Sequence, residues 1–163
     1  MSKSAGARGH LYYDVEARVA GHDVRVLLAG CVDEHADLEQ VRARIGEADA
    51  ILDLASIDAI NSAGISKWIG FLEQLTRSPG RRITLVRCSF QIVVQAAMIT
   101  NMTAGAIVES VLAPYVCGCD EEQAREVRGW TDLEETRECD ECSCPLVLDA
   151  SPEIFSPIFG PRA

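Results

Sequence analysis

No run of apolar residues in this sequence approaches the length that spans a bilayer, and the opening stretch MSKSAGARGH has no apolar core of the kind a secretory signal carries. A cytoplasmic chain with no direct membrane insertion is therefore expected. There is no Walker A loop and no G-x-G-x-x-G, so the common backbone cradles for phosphates are missing. Histidine is scarce: His10, His22 and His35 all fall in the first 35 residues, at terminal or turn positions, where a solvated imidazole with no evident partner is the natural reading. Catalytic constellations are otherwise absent, which points away from an enzyme. No repeat of solenoid length occurs. Positive charge is also in short supply, with 15 Lys and Arg against 25 Asp and Glu. Nucleic acid and anionic membranes need a basic footprint, so a protein or cationic partner is expected instead.

The chain has 163 residues, 48% of them hydrophobic, enough for one domain of ordinary size and a small appendage. Its charge is divided unevenly. Residues 1–116 hold 13 acids and 11 Lys or Arg, whereas residues 117–163 hold 12 acids and 4 Arg, giving formal charges of −2 and −8. The expected division is an unstructured N-terminus over 1–10, a folded domain over 11–116 and a cysteine-rich, acidic extension over 117–163. The acid run is explained most simply as a solvated surface.

The organising stretch of the first domain is Ile51 to Leu75. Ile51, Leu52 and Leu54 form the short apolar run of a strand covered on both faces. Ile57 and Ile60 turn inward among the polar residues Ser56, Asp58, Asn61 and Ser62, and Asp53 is the carboxylate to watch at the strand end. Ile65, Ile69, Leu72 and Leu75, with Trp68 beside them, then recur at helical spacing. Asn61 and Ser62 stand where side chains accept the first unpaired N–H groups of a helix.

Around this unit the chain reads as strands and helices in alternation. Tyr13, Val15, Ala17 and Val19 alternate with polar residues, and a turn at Gly21-His22-Asp23 leads into Val24, Val26 and Leu28, a hairpin. Leu38, Val41 and Ile45 give a short helix. Ser78-Pro79-Gly80 breaks the chain before a strand ITLVRC from Ile83. A further helix has Ile92, Val93, Ala96, Ala97 and Ile99 on its apolar face. A last strand runs from Ile107 to Val116. The order ββαβαβαβ implies an α/β fold with a mixed sheet and helices mainly on one face, because strand–helix–strand units favour right-handed parallel crossovers.

The arrangement of strand, I-N-S-A-G-I turn and amphipathic helix resembles the STAS family, the anti-sigma factor antagonists and their relatives. Their signature at this place is Asp-Ser-Ser-Gly-Leu or a near variant, and Asn61, Ser62, Ala63, Gly64 and Ile65 occupy the five positions. The resemblance covers about residues 11–116. It implies a STAS-like fold, and it makes Ser62 the counterpart of the serine that a partner kinase phosphorylates in switchable members. Asn61 stands in place of the usual acid and Ala63 in place of the second hydroxyl. Read as a residue alone, Ser62 is a helix cap, shared with Asn61. Ser62, Asn61 and Gly64 are the candidate phosphoacceptor or docking residues.

Seven cysteines in a reducing compartment favour free thiols or metal ligands over structural disulfides. Cys31 and Cys88, flanked by apolar residues, read as small core residues. The other five crowd together. Cys117-Gly-Cys119, nineteen intervening residues and Cys139-Asp-Glu-Cys142 place two close pairs across a loop, nearly the spacing of zinc ribbons, with Cys144 a substitute ligand. Four thiolates closing a tetrahedron around Zn2+ leave no position for water, so the site is expected to be structural. The extension has too few apolar residues for a core of its own, which makes metal ligation the expected source of its folding energy. Free thiols and a redox pair are the alternatives. STAS proteins with such an extension look like a bacterial subgroup in which it follows a stretch similar to Ala113-Pro114-Tyr115.

These readings converge on a non-enzymatic signalling or scaffold protein that docks a protein partner, a kinase or another signalling protein, around Ser62. Two further readings remain open: a metal- or redox-sensing module, and an accessory subunit of a lipid-transport complex. Homo-oligomerisation is compatible with all three.

Overall fold

A computed structural model describes residues 10–17, 23–119 and 122–162. Gly21 and His22 of the expected hairpin turn, and residues 1–9, lie outside these. The element order is β1 (Tyr12–Ala17), β2 (Asp23–Val32), α1 (Leu38–Ile45), β3 (Asp49–Ile60), α2 (Ser62–Thr76), β4 (Ile83–Val86), α3 (Phe90–Met98), β5 (Ile107–Val108), β6 (Val111–Cys117), β7 (Glu122–Val127), β8 (Thr136–Glu138), β9 (Pro145–Leu148), a 3-10 turn (Pro152–Phe155) and α4 (Ser156–Phe159).

Two sheets result. The first has the order β1-β2-β3-β4-β5, with β1 antiparallel to β2 and the other pairs parallel. It is a mixed sheet in an α/β arrangement, as the alternation of strands and helices implies. Val26, Leu52 and Leu85 stand in register across three strands and are buried. Leu38, Val41 and Ile45 of α1 and Trp68, Phe71, Leu72 and Leu75 of α2 join the same core. The next register along carries Leu27, Asp53 and Val86, whose side chains lie on the opposite face by the two-residue period of a strand.

The central strand departs from expectation in two ways. It runs through to Ile60, so Ile57 and Ile60 belong to the strand and not to a turn, and Asp53 lies well inside it. Nor is it apolar on both faces. Leu52 and Leu54 are buried against the core that α1 and α2 join, while Ile51 is only half-buried on the face that carries Asp53.

The helix that follows is also rotated from the face its isoleucines suggest. Ile65 and Ile69 are half-buried, and the buried stripe is Gly64, Trp68, Phe71, Leu72 and Leu75. Gly64 explains the rotation. A Cβ there would overlap the Val32 carbonyl and lie 3.0 Å from the Asp33 nitrogen, so only glycine lets the first turn of α2 approach the end of β2 this closely. Ala97, expected on the apolar face of α3, is exposed; that face centres on Ile92 and Val93.

The expected last strand divides at Glu109 and Ser110. Ile107–Val108 closes the first sheet as β5, and Val111–Cys117 opens the second, whose order is β7-β6-β9-β8 with every pair antiparallel. Buried Ser110 marks the change: its Oγ accepts from the Arg87 N–H at 2.8 Å, and Cys88 bridges to Val111. The boundary expected after residue 116 therefore falls within β6. The extension is not without apolar packing either. Val127, Leu133, Leu146 and Phe155 are buried in a core cluster continuous with that of the first sheet. Phe155 packs between Phe90 of α3, at 6.2 Å between ring centroids, and Phe159, at 5.9 Å. At the other end, His10 is not free of the fold, because its carbonyl lies against Gly30, a residue with φ of 93° beside a register shift in β2.

Candidate metal centre and the Ser62 turn

The second sheet is two hairpins joined edge to edge. The tip of the β6–β7 hairpin carries Cys117 and Cys119, and the tip of the β8–β9 hairpin carries Cys139, Cys142 and Cys144. Pairing of β6 with β9, with Cys117 opposite Leu146, sets the two tips side by side. The second tip is tightly wound: the Ser143 N–H donates to the Cys139 carbonyl and the Cys139 N–H to the Cys144 carbonyl, both at 3.0 Å, with Ser143 in the left-handed region at φ of 56°.

This geometry gathers Cys117, Cys139 and Cys142, whose sulfurs lie within 4.8 Å of one another, with Cys117 Sγ and Cys142 Sγ 3.2 Å apart. A tetrahedral ion with Zn–S bonds of about 2.3 Å requires sulfurs about 3.8 Å apart, so the cluster matches the size of a thiolate metal site. The donor set is equally suited to one. Backbone N–H groups of Glu141 and Cys142 aim at the Cys139 sulfur and bring its thiol down to about 7, and Gln123 Nε2 donates to it at 3.4 Å. Cys142 is held above the ordinary thiol value: the Cys144 N–H favours its thiolate, but the thiols of Cys117, Cys144 and Cys119 outweigh it. Crowded thiols that cannot all ionise alone can do so together around a divalent cation.

The remaining two cysteines flank the cluster. Cys119 is exposed, with its sulfur 3.6 Å from that of Cys142, and Cys144 is half-buried. Both neighbour Cys142, and Cys119 also neighbours Cys117. Cys117 and Cys139 are buried, so the cluster has a sheltered side and an open one. Cys31 is half-buried in β2, and Cys88, enclosed in the core, has its thiol pushed up to about 12 by burial, which leaves it inert.

At the start of α2 the capping work falls to Asn61 alone. Its Oδ1 accepts from the Gly64 N–H at 2.8 Å, and its Nδ2 donates to Glu34 at 2.9 Å. The preceding loop is fastened to the helix by Lys67, whose Nζ reaches the carbonyls of Glu34 and Ala36. Ser62 is the first helical residue, exposed, with no side-chain hydrogen bond among the described residues. Gly64 is buried beneath it. Further along, His35, Leu38, Lys67, Phe71 and Gln74 line an open groove of about 450 Å3 between α1 and α2.

One group of charged residues is not apparent from sequence spacing. Asp53 is fully enclosed, and Arg25 donates to it at 2.8 Å while Arg87 grips it through Nε at 3.1 Å and through Nη2. Burial by itself would raise this carboxyl; the hydrogen bonds from Arg87 and Arg25, with the Ala55 N–H, hold it below its ordinary value. Strand alternation would send Arg87 away from Asp53, and a left-handed backbone at φ of 49° brings it back.

No family model matches the sequence, and no curated protein matches it. Among the described residues, no helix is long and apolar enough to cross a membrane.

Proposed function

We propose that this chain is a STAS-like, non-enzymatic signalling protein that docks a protein partner on the surface around Ser62, with a zinc-ribbon-like lobe held by one structural Zn2+. The observation that carries the docking part is the idleness of Ser62. The cap is supplied by Asn61, so the exposed hydroxyl at the first position of α2 has no part in holding the helix. Charge placed there meets the positive end of the helix and its free N–H groups, which makes the position tolerant of phosphate or carboxylate. A partner seated on the same surface would instead face a new desolvated charge, at a cost of several kcal/mol in affinity.

Wild type, Ser62→Asp and Ser62→Ala are to be used as baits in extracts of the source cell, with captured proteins identified by mass spectrometry. A protein held by wild type and by Ser62→Ala, and lost with Ser62→Asp while the bait stays folded, is the expected outcome. Equal capture by both variants would remove Ser62 from the contact. For the metal, Cys117, Cys139 and Cys142 form the fixed part of the ligand set, and Cys119 or Cys144 completes the tetrahedron. When bound, the ion contributes structural cross-linking of the two hairpin tips. A sensing role is favoured by one observation, the open side of the cluster at Cys119 and Cys142.

A further inference from the structure

Five cysteines surround a site with four positions, and their exposure is unequal. Cys117 and Cys139 are sheltered, whereas Cys119 and Cys142 are exposed on different hairpin tips with sulfurs 3.6 Å apart. Cys144 is the remaining neighbour, half-buried on the second tip. The geometry points to Cys119 and Cys142 as a reversible oxidation site through which a peroxide discharges the metal. This rests on the reading of the cysteine cluster as a metal centre.

The chemistry uses groups already in place. Metal ligation keeps Cys142 as a thiolate at the open side, where hydrogen peroxide reaches it. The sulfur attacks one peroxide oxygen, the O–O bond breaks, and the departing hydroxide takes a proton from solvent to become water. The Cys142 sulfenic acid is then attacked by the Cys119 thiolate; the S–O bond breaks, a second proton from solvent completes a second water, and a disulfide remains. Two thiolates have lost two electrons, and hydrogen peroxide has gained them. Closing the gap from 3.6 Å to a bond of about 2.05 Å needs only a small movement of the hairpin tips. A disulfide sulfur is a poor metal ligand, so Cys117 and Cys139, with Cys144, are left to hold the ion with too few thiolates for a closed tetrahedron. Cys117 lies nearer to Cys142, at 3.2 Å, but it is buried with Cys139 on the sheltered side as part of the fixed ligand set, whereas Cys119 is exposed beside Cys142 on the open side.

The test starts from full-length protein purified without chelator, with metal measured by elemental analysis. About one zinc per chain establishes the centre; no metal would overturn the metal reading before the oxidation step is reached. Zinc-loaded protein is then exposed to a small excess of hydrogen peroxide, release is followed with a chromogenic chelator, and disulfides are mapped by peptide mass spectrometry. The expected result is release of the ion with a Cys119–Cys142 disulfide, and recovery of binding after treatment with a dithiol and added zinc. Cys119→Ser is expected to retain zinc through Cys144 and to release it at least tenfold more slowly. Cys144→Ser is expected to release it as fast as wild type. A loaded centre that keeps its zinc under peroxide, a disulfide that maps to Cys117, or release from Cys119→Ser at the wild-type rate would each overturn the oxidation site while leaving the metal centre standing.

Discussion

Asp53 of β3 shows what one residue does when its partners come from the strands on either side, Arg25 from β2 and Arg87 from just beyond β4. Its carboxylate is removed from water, a cost that is offset only because Arg25 and Arg87 supply charged donors on both oxygens. Both arginine side chains keep part of their surface in solvent, at 30% and 38%, so the arrangement is less demanding than a fully buried pair. Asp53→Asn keeps the shape and removes the charge, and is expected to destabilise the fold by about 1.5–3 kcal/mol at neutral pH, the range for hydrogen bonds to a charged group. The carboxyl is held lower in the folded chain than in the unfolded one. Its stabilisation is therefore complete above the ordinary value of 3.8 and is lost as pH falls through the folded value. Chemical denaturation across pH 2–7 checks this: the gap between wild type and variant should close as the pH falls below about 3.8. A variant as stable as wild type at pH 7 would mean that the two arginines do not need the charge.

Among the elements, β2 and α2 are joined by a packing constraint at a single small residue, Gly64, whose first-turn position lies against the Val32 carbonyl. Gly64→Ala preserves helix propensity and would even favour the helix by about 1 kcal/mol in isolation. In the fold its Cβ meets backbone, not a flexible side chain that could swing away. The clash wins. The substitution is expected to cost about 3 kcal/mol or more, the upper part of the range for overpacking, and to lower the thermal midpoint visibly by circular dichroism. An unchanged midpoint would show that α2 can lift from β2, and that the surface around Ser62 is set less firmly than the tight contact implies. Helical and strand periods in the sequence locate nearly all the elements of the first sheet, since each depends on residues a few positions apart. Periodicity does not reveal which isoleucines α2 turns inward, because that depends on how closely one backbone approaches another at Gly64.

At the scale of the whole molecule, the two sheets share one core, and Phe155 is one link between the extension and α3. Removing the proposed metal should therefore do more than loosen the hairpin tips. Cys139→Ser, or a strong chelator, is expected to lower the melting temperature of the entire chain and to raise amide exchange in α3 as well as in β8 and β9. Two separate transitions, with the first unaltered by chelation, would instead restore the division into independent units at residue 116.

What the sequence determined by itself was whatever its local spacing encodes: the period of each strand and helix, the polar turn before α2, and two close cysteine pairs able to grip one ion. Those features arise among neighbours in the chain, where backbone geometry alone sets which side chains share a face. Only the tertiary structure decided the rest. Asp53 meets Arg25 and Arg87 across 28 and 34 positions because β2, β3 and β4 lie side by side. Three of five cysteines form the compact cluster because β6 pairs with β9 and sets one hairpin tip against the other. The acidic extension folds onto the first sheet because a few aromatic side chains, Phe155 foremost, find Phe90 waiting on α3. Each of these depends on strand order and on the approach of distant backbones, which no period along the chain records.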